Sequence, residues 1–170
     1  MTKFKEIKPE ELNQSAFQLI GNDWMLITAE KEDKVNTMTA SWGSFGIMWG
    51  KNVVSIVLRP QRFTKEFIDA SSTFSLTFFD NSFRKDLSYL GTVSGRDEDK
   101  LAKTNLTVSY LEDTPYFEEA KLTIICKKLY AQNLEPECFI EKELDKKWYP
   151  EKDYHTLYIA EVEKIFIKEE

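Results

Sequence analysis

Val53-Val-Ser-Ile-Val-Leu58 is an apolar run of strand length, and Arg59-Pro60 follows it without a gap. Such a run reads as a buried strand, so the turn that follows begins where a strand ends. Pro60 restricts Arg59 to extended geometry and fixes its own φ, which stiffens Arg59-Pro-Gln-Arg-Phe-Thr64 before any ligand arrives. Upstream lies Asn36-Thr-Met-Thr-Ala-Ser-Trp-Gly43, a segment dense in short hydrogen-bonding side chains. Hydroxyls of Thr37, Thr39 and Ser41 can donate to carbonyls or phosphate oxygens. Arg59 and Arg62 can grip a phosphate in the two-pronged geometry that Lys lacks. Asn, Thr, Ser and Gly also fill ordinary strand-to-turn transitions, so the reading rests on the two segments together.

Strand-like segments dominate the chain: 24–29, 35–41, 53–58, 73–79, 121–131 and 155–167. Two short helices are expected, Phe63 to Ala70 and Phe83 to Leu90, each with an apolar face. Ser94 followed by Asp97 resembles a capping box and predicts a third helix through Lys103. Gly43-Ser-Phe-Gly46, flanked by Trp42 and Trp49, reads as a turn. The stretch from Glu135 to Pro150 mixes charge and aromatics without a period and reads as an excursion from the core. Many strands with short inserted helices imply an antiparallel barrel or sandwich, and spacing alone does not choose between them.

A chain of 170 residues fits one domain, taken here as 1–170, and at that size roughly 70% of the unfolded surface can be buried. A formal charge of −6 argues against nucleic acid, whose binding draws on surplus Lys and Arg. One phosphate needs only a local cluster, and Arg59/Arg62 with Arg96/Lys100 could supply it. The first residues lack a signal-peptide core and no window approaches a membrane span, so a soluble cytoplasmic protein is expected. Cys126 and Cys138 form no CxxC pair and have a single His for company, which disfavours zinc and iron-sulfur sites. Cys126 reads as a small buried hydrophobe. No nucleophile elbow is present to support a hydrolase.

Four segments in order, Asn36–Gly43, Arg59–Thr64, Ser94-Gly-Arg-Asp-Glu-Asp-Lys100 and Tyr154-His-Thr-Leu-Tyr158, resemble the flavin reductase-like family, most nearly its flavoredoxin branch. The resemblance runs from about Phe17 to Val162. It implies a mainly β fold, an antiparallel Greek-key split β-barrel that binds FMN and usually forms a homodimer. Under it, Asn36, Thr37, Met38, Thr39, Ala40 and Ser41 line the isoalloxazine and ribityl chain, with Trp42 beside them. Arg59, Arg62, Phe63 and Thr64 lie near the phosphate, and Ser94 and Lys100 approach the cofactor. His155 becomes a nicotinamide contact, although a lone His near a strand end is ordinarily a hydrogen-bonded surface residue. Trp42, Trp148 and Tyr149 are candidates to cover a flavin face or fill a dimer contact.

The activity the resemblance implies is transfer of electrons from NAD(P)H through FMN to an acceptor. Backbone N–H groups near N5 and positive charge near N1 would favour reduction of the flavin. The alternative is a flavoredoxin-type carrier that keeps FMN and serves a redox protein partner without oxidising a nicotinamide. A third possibility is a barrel with a degenerate flavin pocket that binds only a small anion or a protein. No Gly-rich dinucleotide fingerprint is present to distinguish NADH from NADPH.

Overall fold

All six segments marked as strands by the sequence are strands in the computed structural model, which describes residues 3–169. They are β2 (Met25–Lys31), β3 (Lys34–Ala40), β5 (Lys51–Leu58), β6 (Thr73–Phe78), β9 (Leu122–Asn133) and β10 (Thr156–Lys168). Four others join them: β1 (Phe4–Ile7), β4 (Gly43–Met48), β7 (Val108–Leu111) and β8 (Thr114–Phe117). The α-helices are α1 (Phe63–Ala70), α2 (Arg84–Thr92) and α3 (Lys142–Trp148).

The main sheet runs β3-β2-β6-β9-β10-β5-β4, with β1 on β10 and β7–β8 as a separate hairpin. Every ladder among the described residues is antiparallel. β10 is the hub. Its first half pairs with β5 and its last residues with β1, while β9 follows it along the other side through two register shifts. Such bulges bend a long strand and let one sheet curl around a core. The fold is a mainly β split barrel, with β3 and β4 as the outer strands.

Alternation decides what fills it. Phe74, Leu76 and Phe78 of β6 join Ile124 and Cys126 of β9 and Val54, Ile56 and Leu58 of β5 in one buried cluster. The intervening Ser75 and Thr77 face the β7–β8 side, where Ser75 Oγ donates to the Pro115 carbonyl at 2.6 Å. A second apolar cluster, containing Leu26, Leu87, Leu90 and Phe117, fastens α2 to that outer face. Burying each of those two helix leucines contributes roughly 1.5–3 kcal/mol. Phe67 and Ile68 fasten α1 in the same way.

Two local expectations are corrected. Gly43–Gly46 is the start of β4, and the turn lies later, at Trp49 and Gly50, which have φ of 53° and 70°. Positive φ at both positions suits a two-residue hairpin. β4 escaped detection because its residues are exposed or half-buried and show no period-2 burial. Gly43 itself is required, since a Cβ there would stand 2.5 Å from the Ser55 carbonyl oxygen.

The helix expected from Ser94 to Lys103 is absent. That stretch is a turn followed by a single 3-10 turn at Leu101–Lys103. Ser94 Oγ accepts from the Arg96 amide two residues on, so the hydroxyl closes a local turn and does not cap a helix.

Candidate functional site

The register of the barrel brings five chain segments to one end. Leu58 pairs with Thr156, so the residues just beyond, Arg59 and His155, emerge side by side. The end of β3, the start of α1 and the carboxyl end of α2 complete the rim. Two adjoining cavities open there, of about 180 and 220 Å³, sharing Met38, Arg59 and Arg62.

The larger cavity is cationic. Asn36, Phe63, Thr64, Ser94 and Lys100 line it. Lys100 is only 4% exposed, and its ammonium donates to the carbonyls of Leu90 at 2.9 Å and Val93 at 3.0 Å. Arg62 donates to the Gly91 carbonyl at 3.2 Å. Both cations therefore neutralise the carboxyl end of α2, a favourable place for positive charge. Each keeps further donors, because an ammonium has three and a guanidinium five. Burial, then the nearby Arg62, pushes the Lys100 pKa down from 10.5 to about 8. The first turn of α1, with Arg62 at the N-cap position and no side-chain cap, opens on the same cavity. Uncapped amides and the helix dipole add to its attraction for an anion.

Gly95 lets the 94–96 loop close over this end. A Cβ on it would lie 2.3 Å from Asn36 Oδ1. The amide of Asn36 in turn donates to Thr64 Oγ1 at 2.9 Å, with both residues buried. Three residues far apart in sequence are thereby interlocked.

The smaller cavity is aromatic. Met38, Thr39, Ala40, Ser41, Trp42, Val57, Trp148 and His155 line it with the two arginines. Trp42 meets Trp148 edge-on with centroids 4.9 Å apart and lies 5.2 Å from His155. Tyr149 Oη and His155 Nδ1 are 2.6 Å apart. Burial, and after it the Arg59 cation, lowers the His155 pKa to about 4. Burial raises that of Tyr149. At neutral pH the pair is an uncharged imidazole bonded to an intact phenol.

Of the residues expected at the site, Asn36, Met38, Thr39, Ala40, Ser41, Trp42, Arg59, Arg62, Phe63, Thr64, Ser94, Lys100 and His155 line one cavity or both. Thr37 does not. It is fully buried, and its hydroxyl meets that of Thr28 directly across the ladder and donates to the Ile27 carbonyl. Thr39 lines the cavity, but its hydroxyl donates to the Leu87 carbonyl, so of the three hydroxyls expected to donate only that of Ser41 has no such partner among the described residues. Arg96 turns away, donating to the Gln61 carbonyl and pairing with Glu66. Arg59 lines both cavities, yet its guanidinium pairs with Asp153 at 2.9 Å and donates to the Trp148 carbonyl at 2.9 Å. Asp153, Gln61 and Gly95 were missed. The signals for them were faint: two donors flanking Pro60, an acid two residues before the histidine, and a glycine in a charged loop.

The split barrel thus carries at its rim a cationic cavity beside one lined by Trp42, Trp148 and His155. The sequence matches the flavin reductase like domain over residues 17–170, and the chain belongs to that family. No curated protein matches it. Among solved structures, it is similar to an FMN-binding domain of a flavin reductases-like enzyme from Shewanella baltica OS155. That likeness has a TM-score of 0.72 at 19% identity and covers 98% of this chain and 78% of that one. It is also similar to the flavoredoxin from Methanosarcina acetivorans, with TM-score 0.67 at 21% identity over 97% and 76% of the two chains. The styrene monooxygenase flavin reductase of Pseudomonas putida S12 gives 0.61 at 18% identity over 84% and 77%. Cys126 is buried and Cys138 exposed. No helix among the described residues is long and apolar enough to cross a membrane.

Proposed function

We propose that the chain is an FMN-binding oxidoreductase that takes electrons from NAD(P)H and passes them through FMN to an acceptor. The observation carrying this reading is the junction of two unlike cavities at the Arg59–Arg62 turn, which both share: buried Lys100 on one side, and Trp42, Trp148 and an uncharged His155 on the other. A phosphate suits the first and a flat ring system the second. Bound FMN supplies redox chemistry that no side chain provides.

The chain's own residues bind and orient. The remaining donors of Arg62 and Lys100 would hold the phosphate, and residues Met38 to Ser41, at and just beyond the end of β3, would line the ring. Trp42 and Trp148 would exclude water from it. His155, held uncharged beside Trp42, offers a flat contact to a nicotinamide without adding a charge. Alignment of two rings is what such a transfer requires first. A nicotinamide donor places the protein in the cytoplasm in this reading.

Absorbance of the freshly purified protein, followed by anaerobic NADH and then NADPH, tests it. A flavin spectrum bleached by either nucleotide is the expected result. A flavin spectrum unmoved by both marks the carrier alternative, and a colourless protein that refuses added FMN overturns both.

Homodimerisation is part of the same proposal. The outer strand β4 exposes Ile47, Met48 and the adjoining Trp49, beside an apolar groove of about 300 Å³. An exposed apolar edge strand is a liability unless something covers it. Light scattering should return twice the chain mass, and a monomer mass would refute the dimer.

A further inference from the structure

The segment from Leu134 to His155 leaves the barrel between β9 and β10, carries α3, and returns with Trp148 at the cleft. It could have been a loose excursion. Instead, its last residues are bound to the turn that follows β5. Asp153 presents one carboxylate oxygen to Arg59 Nη1 at 2.9 Å and the other to Gln61 Nε2 at 2.7 Å. Arg59 reaches further, donating to the Asp153 carbonyl at 3.4 Å and to the Trp148 carbonyl at 2.9 Å. Its guanidinium lies over the Tyr149 ring, 4.9 Å from the centroid.

Residues 59 and 61 flank Pro60, so two donors stand on a turn whose φ is fixed. That turn is clamped from behind as well, since Arg96 donates to the Gln61 carbonyl at 2.9 Å. Both partners of the ion pair are largely covered, with side chains 22% exposed. A pair with both carboxylate oxygens satisfied, one by a planar guanidinium, orients its partners far better than a lone surface ion pair.

We propose that Asp153 is a positioning residue and Arg59 its post: together with Gln61 they latch the returning segment so that Trp148 and His155 wall the cleft, leaving phosphate binding to Arg62 and Lys100. The proposal rests on the reading that the cleft holds a phosphorylated flavin. It divides the two arginines of one short motif between different tasks. Arg59 faces a carboxylate, two carbonyls and an aromatic ring. Arg62 faces one carbonyl and the open cationic cavity.

The test is a double-mutant cycle on Arg59→Ala and Asp153→Ala in the full chain, read by amide hydrogen exchange across residues 145–155 and by flavin release. Either single replacement should speed exchange there about tenfold, and the double should fall well short of the two effects combined, because contacting residues are not additive. Asp153→Glu should restore most of the protection. Arg59→Ala should hasten release of FMN and riboflavin equally. Unchanged exchange in Asp153→Ala, additive effects in the cycle, or a loss confined to FMN in Arg59→Ala would each overturn the latch. Should Asp153→Ala not fold, the isosteric Asp153→Asn carries the same exchange measurement. Wild-type protein that binds no FMN, yet shows coupled exchange, overturns the flavin reading and leaves the latch standing.

Discussion

Lys100 and His155 sit at opposite ends of one cleft, and burial lowers the pKa of each, to about 8 and about 4. The physics is shared and the outcome is opposite. Removing a base from water disfavours its charged form, and a neighbouring guanidinium adds to that, Arg62 for the lysine and Arg59 for the histidine. An ammonium has far to fall and remains charged at neutral pH, while an imidazole starting near 6.5 loses its proton. The titratable group at one end of the cleft thus stays charged and the one at the other end stays neutral, while Arg59 and Arg62 line both. The difference teaches that burial alone does not set the charge of a cleft, and it suits the proposed reading, in which the two ends meet an anion and an uncharged ring; the predictions below press on that contrast.

Arg62→Ala should have the largest effect. It removes the guanidinium least engaged by protein groups and leaves Lys100 as the sole cation lining the cationic cavity besides the latched Arg59. Truncating a charge-assisted contact of this kind costs about 2–5 kcal/mol. FMN affinity should fall at least about 30-fold, and riboflavin affinity should change little. Flavin fluorescence titration with both ligands checks it. Equal losses for the two would mean that the cavity does not read the phosphate.

Gly95→Ala attacks the same end through shape. The new methyl group collides with Asn36 Oδ1 and approaches Phe63 Cδ1 to 3.1 Å. Relief requires Asn36 to move, and that breaks its bond to Thr64. Overpacking of this sort destabilises by about 1–3 kcal/mol. Urea denaturation should show that loss, while contacts at the aromatic end, followed by amide hydrogen exchange across residues 145–155, stay as they were.

How much of this was legible in the residues depends on which force fixes each one. Val53–Leu58 was plain, because a run of β-branched residues that places Val54, Ile56 and Leu58 on the core face reads as a strand. Two fastening helices were plain for a similar reason: Phe67 and Ile68, then Leu87 and Leu90, fall on helical spacing. β4 was not, since an outer strand with little burial has no pattern to read. The Ser94 helix failed because Gly95 and Lys100 answer to tertiary contacts, with Asn36 and with the end of α2, that no local window contains. Thr37 was assigned to the site by its neighbours in sequence, whereas alternation along β3 turns it toward Thr28. The arginines were recognised as a pair, but the carboxylate that separates their roles lies 94 residues from Arg59.

Proton linkage gives a smaller and more specific effect at the cationic end. Folding lowers the Lys100 pKa from 10.5 to about 8, so between those values the unfolded chain holds more protons. This group therefore makes the ligand-free protein more stable as pH rises through that window. An anion beside the ammonium reverses the shift, because it favours the charged form. FMN binding should accordingly weaken as pH climbs past 8, by roughly tenfold at about pH 9. Lys100→Met should abolish the dependence along with part of the affinity. Titrations in which FMN and riboflavin weaken in parallel would assign the effect to the ring and not to Lys100.

At the aromatic end the expected effect on binding near neutrality is none, and that null is as demanding as a loss. With its pKa near 4, His155 stays uncharged throughout the range where an ordinary histidine would titrate. Nicotinamide oxidation should show no inflection attributable to it between about pH 6 and 8. The signature moves instead to stability. The folded-state pKa lies below the unfolded value of 6.5, so the unfolded chain binds the extra proton between about 4 and 6.5. The stability His155 confers is complete above that window and lost as acid carries the protein down through it. His155→Gln keeps a polar partner for Tyr149 and cannot titrate, so it should flatten this part of the acid dependence in urea denaturation at pH 7 and pH 5. A variant as acid-sensitive as the parent would show that the imidazole is not held neutral. The contrast between the two ends would then fail at its aromatic half.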